Sequence, residues 1–122
     1  MKSRVDSPPP VAVELVTRAG TLRGLRWGRT SDTSILALHG WLDNAASFVR
    51  LAPLLVDADV VAIDLPGHGY SDHRPQGTHY HFIDYIPVVL DAMNELGWPN
   101  CVLIGHSLGA AIASFTAAIE PD

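Results

Sequence analysis

The sequence predicts an α/β protein, in which a β-hairpin is followed by strand–helix units that build a mostly parallel sheet. Three observations carry that reading. Residues 34–38 (SILAL), 60–65 (VVAIDL) and 101–104 (CVLI) are nearly continuous apolar runs, as strands buried on both faces are. Between them lie stretches with helical spacing or helix-forming composition. Each run also ends in a glycine-bearing turn: HG, PGHG and GHSLG.

Residues 1–10 read as a flexible arm, extended by Pro8, Pro9 and Pro10, and residues 11–122 as one domain. Along 11–17, Val11, Val13 and Leu15 alternate with Ala12, Glu14 and Val16. Ala19-Gly20-Thr21 supplies a turn and 22–27 alternates again, which together predict the hairpin. Residues 28–33 are loop, and 34–38 form the next strand, ended by His39-Gly40. Asp43 or Asn44 can cap a helix running to about Val56, with Phe48, Leu51, Leu54 and Leu55 on one face. Strand 60–65 is closed by PGHGYSD. After a polar loop, a helix over about 81–96 sets Ile83, Ile86, Leu90, Met93 and Leu96 at helical spacing. Pro87 either kinks that helix or delays its start, and Gly97-Trp98-Pro99 stops it. Strand 101–104 and a small-residue helix from Leu108 come last.

Composition narrows the function classes. With 48% apolar and 17% charged residues among 122, the chain suits one globular domain. A net charge of −5 speaks against nucleic acid as a partner. Arg23, Arg26 and Arg29 have no aromatic platform beside them and read as the solvated face of a strand. The single cysteine, Cys101, excludes an internal disulfide and fits a reducing, cytoplasmic compartment. Its place in an apolar strand makes it packing rather than a nucleophile. The opening residues, charged and then proline-rich, lack the apolar core of a secretory signal. Residues 101–119 carry no charge, and Gly105 and Gly109 stand at the spacing of membrane-helix dimers. His106 and Ser107 interrupt the stretch, however, and strand formers precede it, so no membrane span is expected.

The most informative stretch is GHSLG, a G-x-S-x-G pattern set between an apolar strand and a helix. A turn that sharp brings strand and helix so close that side chains at 105 and 109 would clash, and Gly105 and Gly109 remove them. Ser107 is then held in a strained backbone region, a cost of about 1–3 kcal/mol. In exchange its hydroxyl stands above the carboxyl end of the sheet, where ligands bind in open α/β folds. The helix that begins at Leu108 aims its N–H groups and positive dipole end at the same place. A nucleophilic serine further needs a histidine base oriented by a carboxylate. A growing oxyanion needs two donors, for which the N–H groups of Leu108 and Trp41 are the candidates, with His39-Gly40 turning the backbone inward. Each such donor lowers a barrier by about 2.7–4 kcal/mol.

Taken together, LALHGW, AIDLPGHGYSD and LIGHSLGA resemble the N-terminal half of an α/β-hydrolase-fold serine hydrolase, in order and in interval. HGWLDNAASFVRLAPLL is most similar to the serine hydrolase-like branch. The resemblance runs from Val11 over nearly the whole chain. It implies the α/β-hydrolase fold, N-terminal part only, ending after the elbow helix, so that 11–122 is an incomplete domain. It implies Ser107 as nucleophile and Trp41 and Leu108 as oxyanion donors, supported by His39, Gly40, Gly105, His106 and Gly109. It implies acyl transfer on a small-molecule ester, thioester, lactone or related carbonyl substrate, with no cofactor and no metal. Relatives with aspartate at the elbow, such as epoxide hydrolases and haloalkane dehalogenases, form alkyl-enzymes instead.

In this family the acid and the base follow the elbow, in the order Ser, Asp or Glu, His; here no histidine follows Ser107, and the thirteen residues after Gly109 are too few to supply both partners and the remaining strands. His106 adjoins Ser107 and is directed elsewhere by the turn. His39 and His68 belong to loop motifs. His73, His79 and His81 lie in the polar loop, and His79-x-His81 lacks the carboxylate or cysteine support of a metal site. Asp64 and Asp72 read as braces of the loop around Gly67-His68-Gly69. The 122 residues alone are therefore expected to be inactive, completed by a C-terminal segment that supplies acid and base. The alternative expectation is a truncated or degenerate non-catalytic module that binds. In either case strand 101–104 is expected at a sheet edge, which makes the isolated polypeptide aggregation-prone.

Overall fold

Alternation along the first strands folds them on each other: β1 (Val11–Thr17) and β2 (Gly20–Trp27) form the hairpin, registered from Val11↔Arg26 to Thr17↔Gly20. The computed structural model describes residues 9–28, 32–41, 43–55, 57–73 and 82–120. Residues 1–8 of the expected arm, Arg29, His79 and His81 lie outside them. The apolar runs become β3 (Ser34–Leu38), β4 (Asp59–Ile63) and β5 (Val102–Gly105). They join the hairpin in one mixed sheet of order β1-β2-β4-β3-β5. The three strands after the hairpin are parallel to one another, while β2 meets β4 antiparallel.

Side chains alternate across β3 and β4, and both sides are buried, which is why these runs are apolar throughout. Leu36, Leu38, Val61 and Ile63 face α1 (Tyr85–Leu96) and α2 (Leu108–Ile119), whose Tyr85, Val88, Val89, Ala92 and Ile112 complete that core. On the other face Ile35, Ala37, Val60 and Ala62 join Trp27 beneath Ala45, Phe48 and Ala52. Arg18, in the hairpin turn, ties β1 to α1. Its guanidinium and backbone N–H both donate to the Asp91 carboxylate, which is thereby held below the usual carboxylate range.

Three expectations need correction. No single helix spans 44–56; two short 3-10 turns occupy Ala45–Phe48 and Ala52–Leu54. Asn44 does cap the first, accepting from the Ala46 N–H at 2.9 Å. Pro53 has no N–H to return to the Val49 carbonyl, however, and its ring excludes a continuous turn. Phe48 is buried, but Leu51 and Leu54 face solvent. Helix α1 begins at Tyr85, after a 3-10 turn at Phe82–Asp84, so Pro87 delays the helix rather than kinking it. Proline in a first turn costs no intrahelical bond. Ile83 is consequently exposed, and the buried stripe is Tyr85, Ile86, Val88, Val89 and Ala92. The arginines do not form one solvated face. Three positions apart on a strand, Arg23 and Arg26 point to opposite sides. Arg23 pairs with Asp72 and Glu14, and Arg26 with Asp59.

Strand β5 borders the sheet, with Val102 51% exposed. Among the described residues no helix is long and apolar enough to cross a membrane.

Candidate active site

The carboxyl ends of β3 and β5 meet at Ser107. Its backbone, at φ 56° and ψ −113°, is the one non-glycine with positive φ among the described residues. Both flanking glycines are required by close backbone approach. A Cβ on Gly105 would lie 2.3 Å from the carbonyl group of Gly109, and one on Gly109 would lie 2.1 Å from the carbonyl oxygen of Leu38. The His106 N–H donates to that same Leu38 oxygen (3.1 Å), which locks the elbow to β3. Ser107 occupies the N-cap of α2, yet its hydroxyl makes no capping hydrogen bond and the residue is exposed. Leu108 is the first residue of α2, where an N–H has no intrahelical acceptor.

The loop after β3 lies directly against the elbow. A Cβ on Gly40 would stand 3.3 Å from both Ser107 Cβ and His106 Nδ1. His39 is fully buried, and both its ring nitrogens are engaged. Nε2 accepts from the Leu65 N–H (2.9 Å), which puts the proton on Nδ1, and Nδ1 donates to the Gly40 carbonyl (2.7 Å). The Asp43 N–H donates to the same carbonyl (3.1 Å). Two donors on one oxygen fix the plane of the Gly40–Trp41 peptide. Because that peptide is trans, the Trp41 N–H points to the side opposite His39 and Asp43. The Trp41 side chain stands mostly in solvent, with its ring edge-on to buried His68 at 5.2 Å.

Asp64 and Asp72 brace, as expected. Buried Asp64 accepts from the Ala45 N–H (2.7 Å) and the Tyr70 N–H (3.0 Å), while its own carbonyl accepts from the Ser71 hydroxyl. Asp72 accepts from the Thr21 N–H (2.9 Å) and from Arg23. Burial pushes the half-buried Cys101 thiol up, away from the reactive thiolate. Among the described residues no three His, Cys, Asp or Glu side chains gather as metal ligands do. A cavity of about 590 Å³, lined by Val13, Arg23, Leu25, Ala45 and Tyr70, lies on the sheet face away from α1 and α2; Ser107 is not on its wall.

The sequence brings Ser107, Leu108, His39, Gly40, Trp41, Gly105, His106 and Gly109 to one place, and the structure does the same. It adds two groups that sequence reasoning missed. The Asp43 N–H carries no side-chain signal at all. The contact of the His68 ring with the Trp41 indole joins segments distant in sequence.

Burial pushes the His39 imidazole below its ordinary value of 6.5, with the nearby His68 adding to the effect. A group held neutral in this way adds stability above the unfolded pKa, and that stability is lost as pH falls through the lowered folded value. Protonated Nε2 would confront the Leu65 N–H that it now accepts from. The urea midpoint is therefore expected to fall between about pH 7 and pH 5, and His39→Gln, which does not titrate, to flatten that slope. A wild-type midpoint constant over this range would contradict the assignment.

Known proteins are similar to this chain. The model of the alpha/beta hydrolase fold family matches residues 33–122. A serine hydrolase-like protein of Danio rerio is 44% identical over 104 residues, covering 84% of this chain and 32% of the relative. A serine hydrolase-like protein of Dictyostelium discoideum is 46% identical over 98 residues, covering 78% and 27%. Among solved structures, the hypothetical protein PA1622 of Pseudomonas aeruginosa PAO1 superposes with a TM-score of 0.85 at 41% identity, covering 90% of this chain and 39% of that one. The chain spans between about a quarter and a third of the length of these curated relatives. The family match takes in both the loop after β3 and the elbow after β5, the two segments whose contact builds the site, and on that basis the chain belongs to the alpha/beta hydrolase fold family, alongside its serine hydrolase members.

Proposed function

We propose that this chain carries the nucleophile and the oxyanion donors of a serine hydrolase acting by acyl transfer on a small ester, thioester or related carbonyl substrate. One observation carries the reading. An exposed serine is held at positive φ, with its hydroxyl unused by the helix it caps, where both neighbouring glycines are forced by backbone contacts. Strain of that kind persists where surrounding structure over-determines it, and it clusters at active sites.

In the proposed reaction Ser107 Oγ attacks the substrate carbonyl carbon and gives its proton to a histidine base. The oxyanion is met by the N–H groups of Leu108 and Trp41. The C–O or C–S bond then breaks, the leaving group takes the proton from the base, and an acyl-serine remains for water to hydrolyse. His39 serves by fixing the Gly40–Trp41 peptide rather than as the base, since both its ring nitrogens are engaged. Gly40 keeps the loop close to Ser107, and His106 anchors the elbow through its N–H to Leu38. The scheme calls for no cofactor and no metal.

Base and acid are proposed to come from a C-terminal segment joining at the open edge of β5. The greater length of the relatives supports this, and residues 11–122 are then the first part of a single hydrolase domain. Nucleic acid is not a proposed partner, since Arg18, Arg23 and Arg26 are paired with carboxylates. The lone cysteine fits a cytoplasmic setting.

A fluorophosphonate probe tests the reading. A polypeptide that includes the following acid and histidine is expected to be labelled, with labelling lost in Ser107→Ala, whereas the 122 residues alone should label little. If the longer polypeptide does not react, the chain is a binding module rather than a hydrolase; if it reacts equally without Ser107, the nucleophile is another residue and the reading fails.

A further inference from the structure

We propose that His68 is a positioning residue for the Trp41 amide, a role that rests on the acyl-transfer reading above. Residue 41 needs positioning. It lies in an irregular turn, and its side chain is 57% exposed, so little of it is held by the core. The contact that engages its indole is the edge-on approach to the His68 ring, at 5.2 Å between centroids and 76° between planes. That geometry is the favoured one for aromatic pairs.

His68 is built as a fixed seat. It is buried to all but 7% of its surface, its Nδ1–H donates to the Pro66 carbonyl (3.1 Å), and the His39 ring backs it at 4.9 Å. Its Nε2 is buried with no hydrogen-bond partner among the described residues. A buried polar atom without a partner is costly and calls for an explanation. Here the imidazole is retained not for a second hydrogen bond but for a ring whose plane is locked by the first.

Residue 41 is thus gripped from two directions. His39 sets the peptide plane through the Gly40 carbonyl, and His68 sets the side chain. Both imidazoles hang on the exit of β4, one bonded to the Leu65 N–H and the other to the Pro66 carbonyl. The donor is consequently preset before any substrate arrives, which is what an oxyanion hole requires.

The test uses the full-length hydrolase with His68→Ala, His68→Phe and Trp41→Leu, the last of which keeps the backbone N–H. In His68→Ala the backbone order parameter of Trp41 is expected to fall below about 0.6 while Leu108 stays ordered. The maximal rate of fluorophosphonate labelling should drop about tenfold, with the half-saturating probe concentration within about twofold of wild type. His68→Phe, which keeps a ring, should recover most of that rate. Trp41→Leu should lose as much as His68→Ala, and the double variant should lose no more than either alone. Additive losses in the double variant would overturn the proposal, as would an ordered Trp41 in His68→Ala or equal losses in the alanine and phenylalanine variants. If His68→Ala fails to fold, Trp41→Leu and His68→Phe decide the matter by the same rate. Labelling that survives Ser107→Ala would instead overturn the acyl-transfer reading, and the order parameter would still judge the seat.

Discussion

Gly109→Ala is expected to unfold the chain or peel α2 away from β3, at a cost of about 3 kcal/mol or more. The added methyl would sit 2.1 Å from the Leu38 carbonyl oxygen, 2.5 Å from its carbon and 2.7 Å from the His39 oxygen. All three are backbone atoms. Leu38 cannot yield, because it is paired with Ile63 on one side and Gly105 on the other, and its oxygen also accepts from His106. Gly97→Ala provides the contrast. A Cβ there meets nothing within 4 Å, and only the left-handed φ of 72° opposes it, a penalty of about 1 kcal/mol. Urea denaturation of both variants separates close approach from backbone conformation. A Gly109→Ala protein as stable as Gly97→Ala would mean that α2 does not rest on β3 as described.

The second expected result runs the other way: Ser107→Gly should stabilise the fold by about 1 kcal/mol while removing any labelling. The residue sits at φ 56° and ψ −113°, a region costly for a side chain and open to glycine. Relief of about 1–3 kcal/mol of strain is offset in part by the larger conformational freedom that glycine brings to the unfolded chain. Ser107→Ala keeps the Cβ, and with it the strain, so it should leave stability near wild type. Unfolding midpoints of the three proteins at neutral pH read the difference directly. Equal midpoints for the alanine and glycine variants would show that the elbow stores no strain in the serine backbone.

How much of this could be read beforehand depended on what enforces each feature. The elbow was legible because backbone contacts at 105 and 109 admit only glycine, and the central strands because Ile35 to Leu38 and Val60 to Ile63 are buried on both sides. The segment after Asn44 misled because apolar spacing records side-chain type, not burial. Phe48 turned inward and Leu51 and Leu54 outward, once Pro53 denied the helix a donor. Arg23 and Arg26 misled because their carboxylates, Asp72 and Asp59, are remote in sequence. Nor could spacing reveal that the Gly40 carbonyl takes two donors, since one is a backbone N–H that any residue at 43 would supply.

The placement of β3 between β4 and β5 also bears on how the molecule acquires its shape in time. As the polypeptide leaves the ribosome, β3 gains its β4 neighbour early but waits for all of α1 to emerge before β5 can flank it. Such distant pairings are slow to close. The elbow at Ser107 is therefore among the last features to mature, and a nascent chain halted before β5 has the scaffold without the elbow.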